Sequence, residues 1–275
     1  MRNEYDAVFV HMNPIYIALG FVLWRIMGKK IFVWYAHPAK NIVVKLAYIL
    51  CDKVITSVPE AFYARGKKVF AIGQGIDTKL FSPAVASSKG ERDVLYLGRI
   101  SPAKRVDVLL EAVRLLKSAG INLSVSIVGD PAEIYGGEKY YAEICAFAAN
   151  NNLLDMVSFE GSLPHYKTPA VYNKHAIFVN LSPNGYFDKT VLEAMACECA
   201  VIASNDAYRN IFPRDLHDLL LFKQGDAKDL AEKIKKVAGL TLRDKKTIGK
   251  RLRKIVSQEH SLVTLGERLK HALLS

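Results

Sequence analysis

The chain has 275 residues, a formal net charge of +11 and a pI near 9.4; 51% of its residues are hydrophobic and 24% charged. That composition fits one large or two modest globular domains with a substantial core, and no internal repeat, coiled coil or low-complexity segment is present. The positive balance favours an acidic partner, either a phosphorylated ligand or an anionic membrane surface. No nucleic acid is expected: the cations are scattered apart from Arg243 to Lys254, which reads as a solvated helix face, and no aromatic-rich binding motif accompanies them.

In chain order, Asp6–His11 is an apolar run that predicts a buried strand, broken by Asn13 and Pro14. Ile15 to Met27 predicts a helix stopped by Gly28, and Ile31–Tyr35 the next strand. Ile42 to Leu50 is helical, Lys53–Thr56 is strand-like, and Val69–Ile72 precedes a turn at Gly73-Gln74-Gly75. Ala84 to Glu91 is small and polar, as a linker is.

A second series begins at Asp93. Val94–Leu97 is a strand, and apolar residues at 106, 109, 110, 113 and 116 set a helical period from Val106 to Leu116. Leu123–Val128 predicts a strand and Glu138–Asn150 a helix. Further strands are expected at Val157–Phe159, Ile177–Val179, Val201–Ala203 and Leu219–Phe222, with helices between them. The alternation predicts an α/β chain of two Rossmann-like, doubly wound parallel sheets, the first incomplete, with ligands at the carboxyl ends of the strands.

Cys51, Cys145, Cys197 and Cys199 lie in apolar contexts, and the Cys197-Glu198-Cys199 spacing is not that of a zinc or redox pair. Reduced core thiols in a cytoplasmic protein are expected. Met1–Asp6 leads directly into a strand, which reads as no cleavable signal peptide, and the longest apolar run, Ile15 to Trp24, is too short to span a bilayer.

Two stretches carry chemistry. Gly98-Arg99-Ile100-Ser101-Pro102-Ala103-Lys104 follows a strand and meets the next helix at its start. Gly98 lets a ligand approach the backbone, and Arg99 and Lys104 add cations where a helix N-terminus already favours anions, which suits a pyrophosphate; two ordinary surface cations are the alternative. Glu193 stands on a short helix among apolar and small residues. Thr190 and Glu193 fit a capping box, which alone would explain the glutamate. The functional alternative is that Glu193 accepts both hydroxyls of a ribose diol, for which a carboxylate has the acceptors.

The stretches GRISPAKRVDVLLEA, SIVGD, VSFEGSLPHYKTPAVYNKHAIFVNLSP and DKTVLEAMACECAVIAS follow one another in order, and GQGIDTKLFSP, Gly73 to Pro83, precedes them. Together they resemble a retaining GT-B glycosyltransferase of the family 4 type, over essentially the whole chain. The resemblance implies a partial acceptor-side domain over residues 1–87 and a donor-binding domain over 88–258. It also implies a C-terminal helix over 259–275 that returns to the first. Arg99 and Lys104, with Gly98 and Gly129, would hold the diphosphate of a nucleotide sugar. Glu193 would hold the ribose, and Gly161 and Ser162 would line the base pocket. Backbone N–H groups of Phe187, Thr190, Val191 and Leu192, in the loop opened by Gly185 and Tyr186, would meet the sugar or distal phosphate. His37 would face the sugar; His11 is a weaker candidate, and His165, His175, His217, His260 and His271 read as structural or surface.

The sequence departs from that pattern at three places. The family usually carries a glutamate eight residues before the Glu193 position, where this chain has Gly185. Asp188 and Lys189 would take over the missing carboxylate's contacts, which makes them candidate catalytic residues beside His37; Asp188 equally fits a helix cap. Glu198 stands where the family mostly has glycine. The first domain enters midway, short of an ordinary domain by roughly 80–100 residues: either the chain is a fragment, or a partner subunit supplies them, or it works with a reduced domain.

The implied reaction is transfer from a nucleotide diphosphate sugar to a hydroxyl of a sugar or lipid-linked acceptor with retention, in polysaccharide or glycolipid synthesis. No cofactor and no metal are expected, since no metal-ligand cluster is visible and the cations would stabilise the leaving diphosphate. The Ile15–Met27 helix, apolar on most faces and ending in Arg25, Lys29 and Lys30, reads first as a core helix between the sheet and a neighbour; attachment to the inner face of the membrane is the alternative. The rival reading is a non-catalytic nucleotide-sugar-binding or partner-dependent subunit. A dinucleotide oxidoreductase fits badly, for want of a Gly-x-Gly-x-x-Gly turn after a first strand and of its acidic partner.

Overall fold

The computed structural model describes residues 4–84, 91–134 and 136–274. The linker expected at Ala84–Glu91 lies almost entirely outside the described residues. The chain divides into two compact units: Met1–Gly75 with Gly185–Phe187 and Glu259–Ser275, and Ile76–Asn184 with Asp188–Gln258.

Unit 1 is built on four parallel strands in the order β1 (Ala7–His11), β2 (Lys30–Trp34), β3 (Lys53–Thr56) and β4 (Val69–Ala71). Helices α1 (Ile15–Ile26) and α2 (Ile42–Leu50) link the first three. They bury Ile17, Val44 and Ala47 against Val10, Ile31, Val33 and Val54 of the sheet. Asn41 starts α2 by accepting from the Val44 N–H at 2.9 Å, an ordinary side-chain cap. Helix α10 (Leu262–Leu274) supplies Ala272, with Leu265 and Leu269, to a second cluster with Trp34, Ile55 and Ile72.

Unit 2 carries five parallel strands: β5 (Arg92–Leu97), β6 (Val125–Val128), β7 (Val157–Phe159), β8 (His175–Asn180) and β9 (Ala200–Ala203). Their spatial order is β7-β6-β5-β8-β9. The chain runs outward from β5 in one direction, then returns to its other side at β8. A crevice therefore opens between the carboxyl ends of β5 and β8, the switch point where doubly wound sheets take ligands. The helices between the strands are α3 (Val106–Ser118), α4 (Gly137–Asn150), α5 (Thr168–Lys174) and α6 (Lys189–Ala196). Helices α7 (His217–Leu220), α8 (Ala227–Ala238) and α9 (Leu242–Glu259) follow β9. Helix α3 buries seven residues from Val106 to Leu116, including all five that set its period.

One expected strand is absent. Leu219–Phe222 is not a strand: its first half is the end of α7, and only Leu221 makes an isolated bridge to Ala203, with the Phe222 N–H donating to the Ala203 carbonyl. A short buried apolar run is compatible with either element, and here the turn at Pro213–Leu216 leads straight into helix.

Two buried histidines make stability depend on pH. His175, between Ser126 Oγ at 2.9 Å and the Val171 carbonyl at 2.8 Å, is pushed below the ordinary histidine range chiefly by burial. In unit 1, His260 is pushed down to about 4 by burial, with the Arg268 cation adding to it, and its Nδ1 has no hydrogen-bond partner among the described residues. Both are neutral when folded, so below about pH 6.5 the unfolded chain binds more protons. Stability is full above that pH and should fall as pH drops from 6.5 towards 4. Urea unfolding at pH 7.0, 5.5 and 4.5 should show a falling midpoint, flattened in His260→Gln. An unchanged midpoint down to pH 4.5 would contradict this.

Candidate functional site

The candidate site in unit 2 grows from the turn after β5. Leu97, Gly98 and Arg99 line two cavities at the carboxyl ends of the strands. The larger, about 490 Å³, is closed by Gly129 to Ile134 and by Ser162, Leu163 and Thr168. The smaller, about 210 Å³, is closed by Lys104, Asn180, Ser182, Asp188, Lys189 and Thr190. Arg99 is exposed and borders both.

Gly129 makes this junction possible. Its φ is +146°, and a Cβ there would lie 2.0 Å from the Gly98 carbonyl oxygen, so the turns after β5 and β6 meet only because residue 129 has no side chain. Gly161 donates nothing from a side chain but accepts the Gly129 N–H through its carbonyl at 2.7 Å. Ser162 is held to Asp130, whose carboxylate accepts both its N–H and its hydroxyl.

The smaller cavity is organised by Asp188. Its carboxylate accepts two contacts of 2.8 Å from Lys104 Nζ, one of 2.9 Å from Asn180 Nδ2 and another from the Ser182 hydroxyl. Burial by itself would raise this carboxyl. The Lys104 charge and these hydrogen bonds outweigh burial and hold it below the ordinary aspartate value. Asp188 occupies the N-cap position of α6, yet its side chain accepts nothing from the helix, because all its acceptors face Lys104, Asn180 and Ser182. The capping alternative for Asp188 is thereby corrected. Lys104 is likewise no bare surface cation. Lys189 is exposed at the cavity, and its N–H and that of Thr190 head α6, where a helix offers donors without partners inside it.

Glu193 is 5% exposed and makes no capping box. Its carboxylate meets His165 Nε2 and accepts the Tyr172 hydroxyl, each at 3.0 Å. The helix starts at Lys189, two residues earlier than a Thr190 cap requires, so Glu193 is not at the position from which it would reach back to the cap. Burial first, then the Glu193 charge, pushes the Tyr172 hydroxyl far above the usual tyrosine value, so it remains a donor. Glu193 lines neither cavity, but Thr168, whose hydroxyl donates to the His165 carbonyl, borders the larger one. Two acceptor positions on the carboxylate remain after His165 and Tyr172. These two partners were missed: His165 reads from sequence as structural or surface, and nothing local signals a contact 21 or 28 residues away. Val191 and Leu192 are fully buried, so only their backbone could contribute.

The remaining expected residues fall in unit 1. His37 accepts the Ala39 N–H on Nδ1 at 3.0 Å and stands edge-on to Tyr186, with ring centroids 5.6 Å apart. Phe187 is buried beside His260. Gly185 has φ +90°, and a Cβ there would lie 3.0 Å from the Pro38 Cβ. A glutamate at 185 would therefore be strained in this loop, a physical reason for the departure noted in the sequence. Glu198 takes φ +60° just beyond α6, the conformation in which glycine is the easy choice, and its N–H donates to the Met195 carbonyl.

The ion pair has a measurable weight. Lys104 and Asp188 keep 20% and 19% of their side-chain surface. Asp188→Ala strands the ammonium and should cost roughly 2–4 kcal/mol in urea unfolding, somewhat under the range for a fully buried pair. Lys104→Met with Asp188→Leu should cost much less than the two single changes summed. Additive losses would show that the two side chains do not act together.

Known proteins resemble this chain in sequence and in fold. Residues 77–254 match the family model described as glycosyl transferases group 1. The D-inositol 3-phosphate glycosyltransferase of Frankia alni is 30% identical over 149 residues, covering 50% of this chain and 36% of that protein. The capsular polysaccharide biosynthesis glycosyltransferase CapM of Staphylococcus aureus is 25% identical over 285 residues, covering 96% of this chain and 71% of that protein. The matches span about a third of the length of the first four curated relatives. Among solved structures, Anabaena HepE in complex with UDP and glucose superposes with a TM-score of 0.82 at 18% identity, over 99% of this chain and 78% of that one. That likeness shows the fold, two parallel α/β sheets of the GT-B kind. With the family model covering well over half of its residues, the chain belongs to the glycosyl transferases group 1 family.

Proposed function

We propose that the chain is a retaining glycosyltransferase of the family 4 type that moves a sugar from a nucleoside diphosphate sugar to an acceptor hydroxyl, in polysaccharide or glycolipid synthesis. The observation that carries the reading is the pair of adjoining cavities at the β5/β8 switch point, with Arg99 on both. The larger suits a nucleoside and the smaller a diphosphate. Arg99, Lys104 and the opening N–H groups of α6 would carry the phosphates, and Glu193 would accept the ribose hydroxyls through its two remaining acceptor positions. HepE was solved with UDP, which makes uracil the first base to test here.

In this reading the bond from the anomeric carbon to the diphosphate oxygen breaks while the acceptor oxygen bonds to the same face of that carbon. The acceptor proton passes to the departing phosphate. Charge grows on the diphosphate in the transition state, where the fixed Arg99 and Lys104 stabilise it without reorganising. Asp188 keeps Lys104 aimed into the cavity, and Lys189 adds a mobile cation at its mouth. His37 keeps the role that the sequence resemblance gives it, holding the sugar. The protein's own cations do the electrostatic work, so transfer should persist in EDTA.

The test is incubation of the purified chain with UDP-glucose, UDP-N-acetylglucosamine and GDP-mannose against sugar and lipid-linked acceptors, with the product's anomeric configuration read by NMR. The expected product keeps the donor's configuration. Arg99→Ala should lower kcat/KM by about 10²-fold or more, the usual cost of one transition-state donor. An inverted product would overturn retention. Tight nucleotide binding without transfer to any acceptor would favour the binding-subunit reading.

A further inference from the structure

Residues 77–84 lie at the start of unit 2 and are fastened to the rest of it through their backbone. Asp77 folds the first turn: its carboxylate accepts the Lys79 and Leu80 N–H groups at 3.0 and 3.1 Å, and its carbonyl accepts the Phe81 N–H at 2.8 Å. Ser82 precedes Pro83, which favours an extended chain from that point.

Two side chains from elsewhere in unit 2 hold this segment. Arg253, on α9, donates to the Phe81 carbonyl at 2.9 Å and to the Thr78 carbonyl at 3.2 Å, and also to the Ala196 carbonyl at the end of α6. A planar guanidinium, with its donors in a fixed fork, suits carbonyls that arrive from two elements. Asn173, buried on α5, donates to the Ser82 carbonyl at 2.9 Å and accepts the Ala84 N–H at 2.8 Å. The segment is thereby joined to α5 and α6, the helices that carry Tyr172 and Glu193.

This fastening seats the Phe81 ring. The ring is 1% exposed, and its centroid lies 5.2 Å from that of His165, at an interplanar angle of 59°, and 6.1 Å from that of Tyr172, at 63°. Both are ordinary packing geometries for aromatic rings. His165 and Tyr172 are the two groups that meet the Glu193 carboxylate, each at 3.0 Å. Tyr172 is fully buried and packs on Phe178 as well. His165 keeps 67% of its side-chain surface, so an imidazole there would turn towards water once the ring against it is gone.

We propose that Phe81 is a positioning residue for nucleotide binding, a role that rests on the assignment of Glu193 to the ribose. Its ring holds His165 and Tyr172 on Glu193, and the carboxylate's remaining acceptors stay aimed at the diol. Recognition by hydrogen bonds needs a geometry held to within about 0.5 Å, by side chains whose own rotamers are locked by packing. Phe81 lines neither cavity, so it acts on a ligand only through these neighbours. Its effect is therefore confined to the part of the ligand that Glu193 reads.

The test is calorimetric titration of the full chain and of Phe81→Leu with UDP and GDP and with their 2′,3′-dideoxy forms. The wild-type chain should prefer the diol form of the nucleotide it binds by at least about tenfold, as hydrogen bonds to a charged group require. Phe81→Leu, folded by circular dichroism, should keep the wild-type affinity for the dideoxy form and lose most of the preference. If Phe81→Leu does not fold, Arg253→Lys takes its place, because one ammonium cannot span the three carbonyls, and the same loss is expected. A preference kept in full overturns the proposal. So does an affinity lost equally for both forms, which is general damage to the fold. A wild-type chain that does not tell the diol from the dideoxy form overturns it together with the ribose assignment, which separates that failure from one of Phe81 alone.

Discussion

The Asp188 carboxylate, largely withdrawn from water and held by one ammonium, one amide and one hydroxyl, organises the smaller cavity. Lys104 belongs to the turn after β5, Asn180 ends β8, Ser182 follows it, and Asp188 opens α6. A single charge thus ties together the three elements that border the β5/β8 crevice. It also sets the direction of Lys104, whose ammonium would otherwise swing on four methylenes. A lysine so fixed presents its positive charge at one place, which is what electrostatic catalysis requires of a cation. The cost is that Asp188 offsets part of the charge an anionic ligand would meet, and Arg99 and Lys189 are left to restore it.

Glu193 shows the same economy one turn further along. A carboxylate 5% exposed needs partners, and His165 and Tyr172 provide them from outside its own helix. They fix its orientation without exhausting its acceptors. His165, its ring tilted against that of Phe81, keeps a largely exposed side chain, so the carboxylate's near surroundings include a group that water can still reach. The turn after β6 adds the third constraint: Gly129 admits the close approach of two loops, and any side chain there would push the turns apart.

Much of the fold was legible because buried parallel strands announce themselves as continuous apolar runs. Val94–Leu97, Leu123–Val128 and Ile177–Val179 are of that kind, and the helix from Val106 carries its period openly. Leu219–Phe222 shows the limit: four apolar residues can end a helix as well as form a strand, and only the chain around them decides. The site was legible as a set of positions and not as a set of contacts. Arg99, Lys104, Asp188 and Lys189 do converge on one cavity. What joins Lys104 to Asp188 across 84 residues is the order of strands in the sheet, which no local pattern states. Thr190 and Glu193 had the spacing of a capping box, but the helix begins at Lys189 and the glutamate is claimed by His165 and Tyr172. Ile15 to Met27 was visible as an apolar helix; that Arg25 pairs with Asp52 and that Lys29 is buried was not.

The central claim is that unit 2 holds a nucleoside diphosphate between Arg99, Lys104 and Glu193. Calorimetric titration of the purified chain with UDP and GDP, repeated on Glu193→Ala, tests it most directly. The account predicts saturable binding of one nucleotide by the wild-type chain, weakened at least about tenfold in Glu193→Ala, as the loss of hydrogen bonds to a charged group requires. Equal affinity in the two proteins would remove Glu193 from the site. No binding of either nucleotide by a folded chain would contradict the account as a whole.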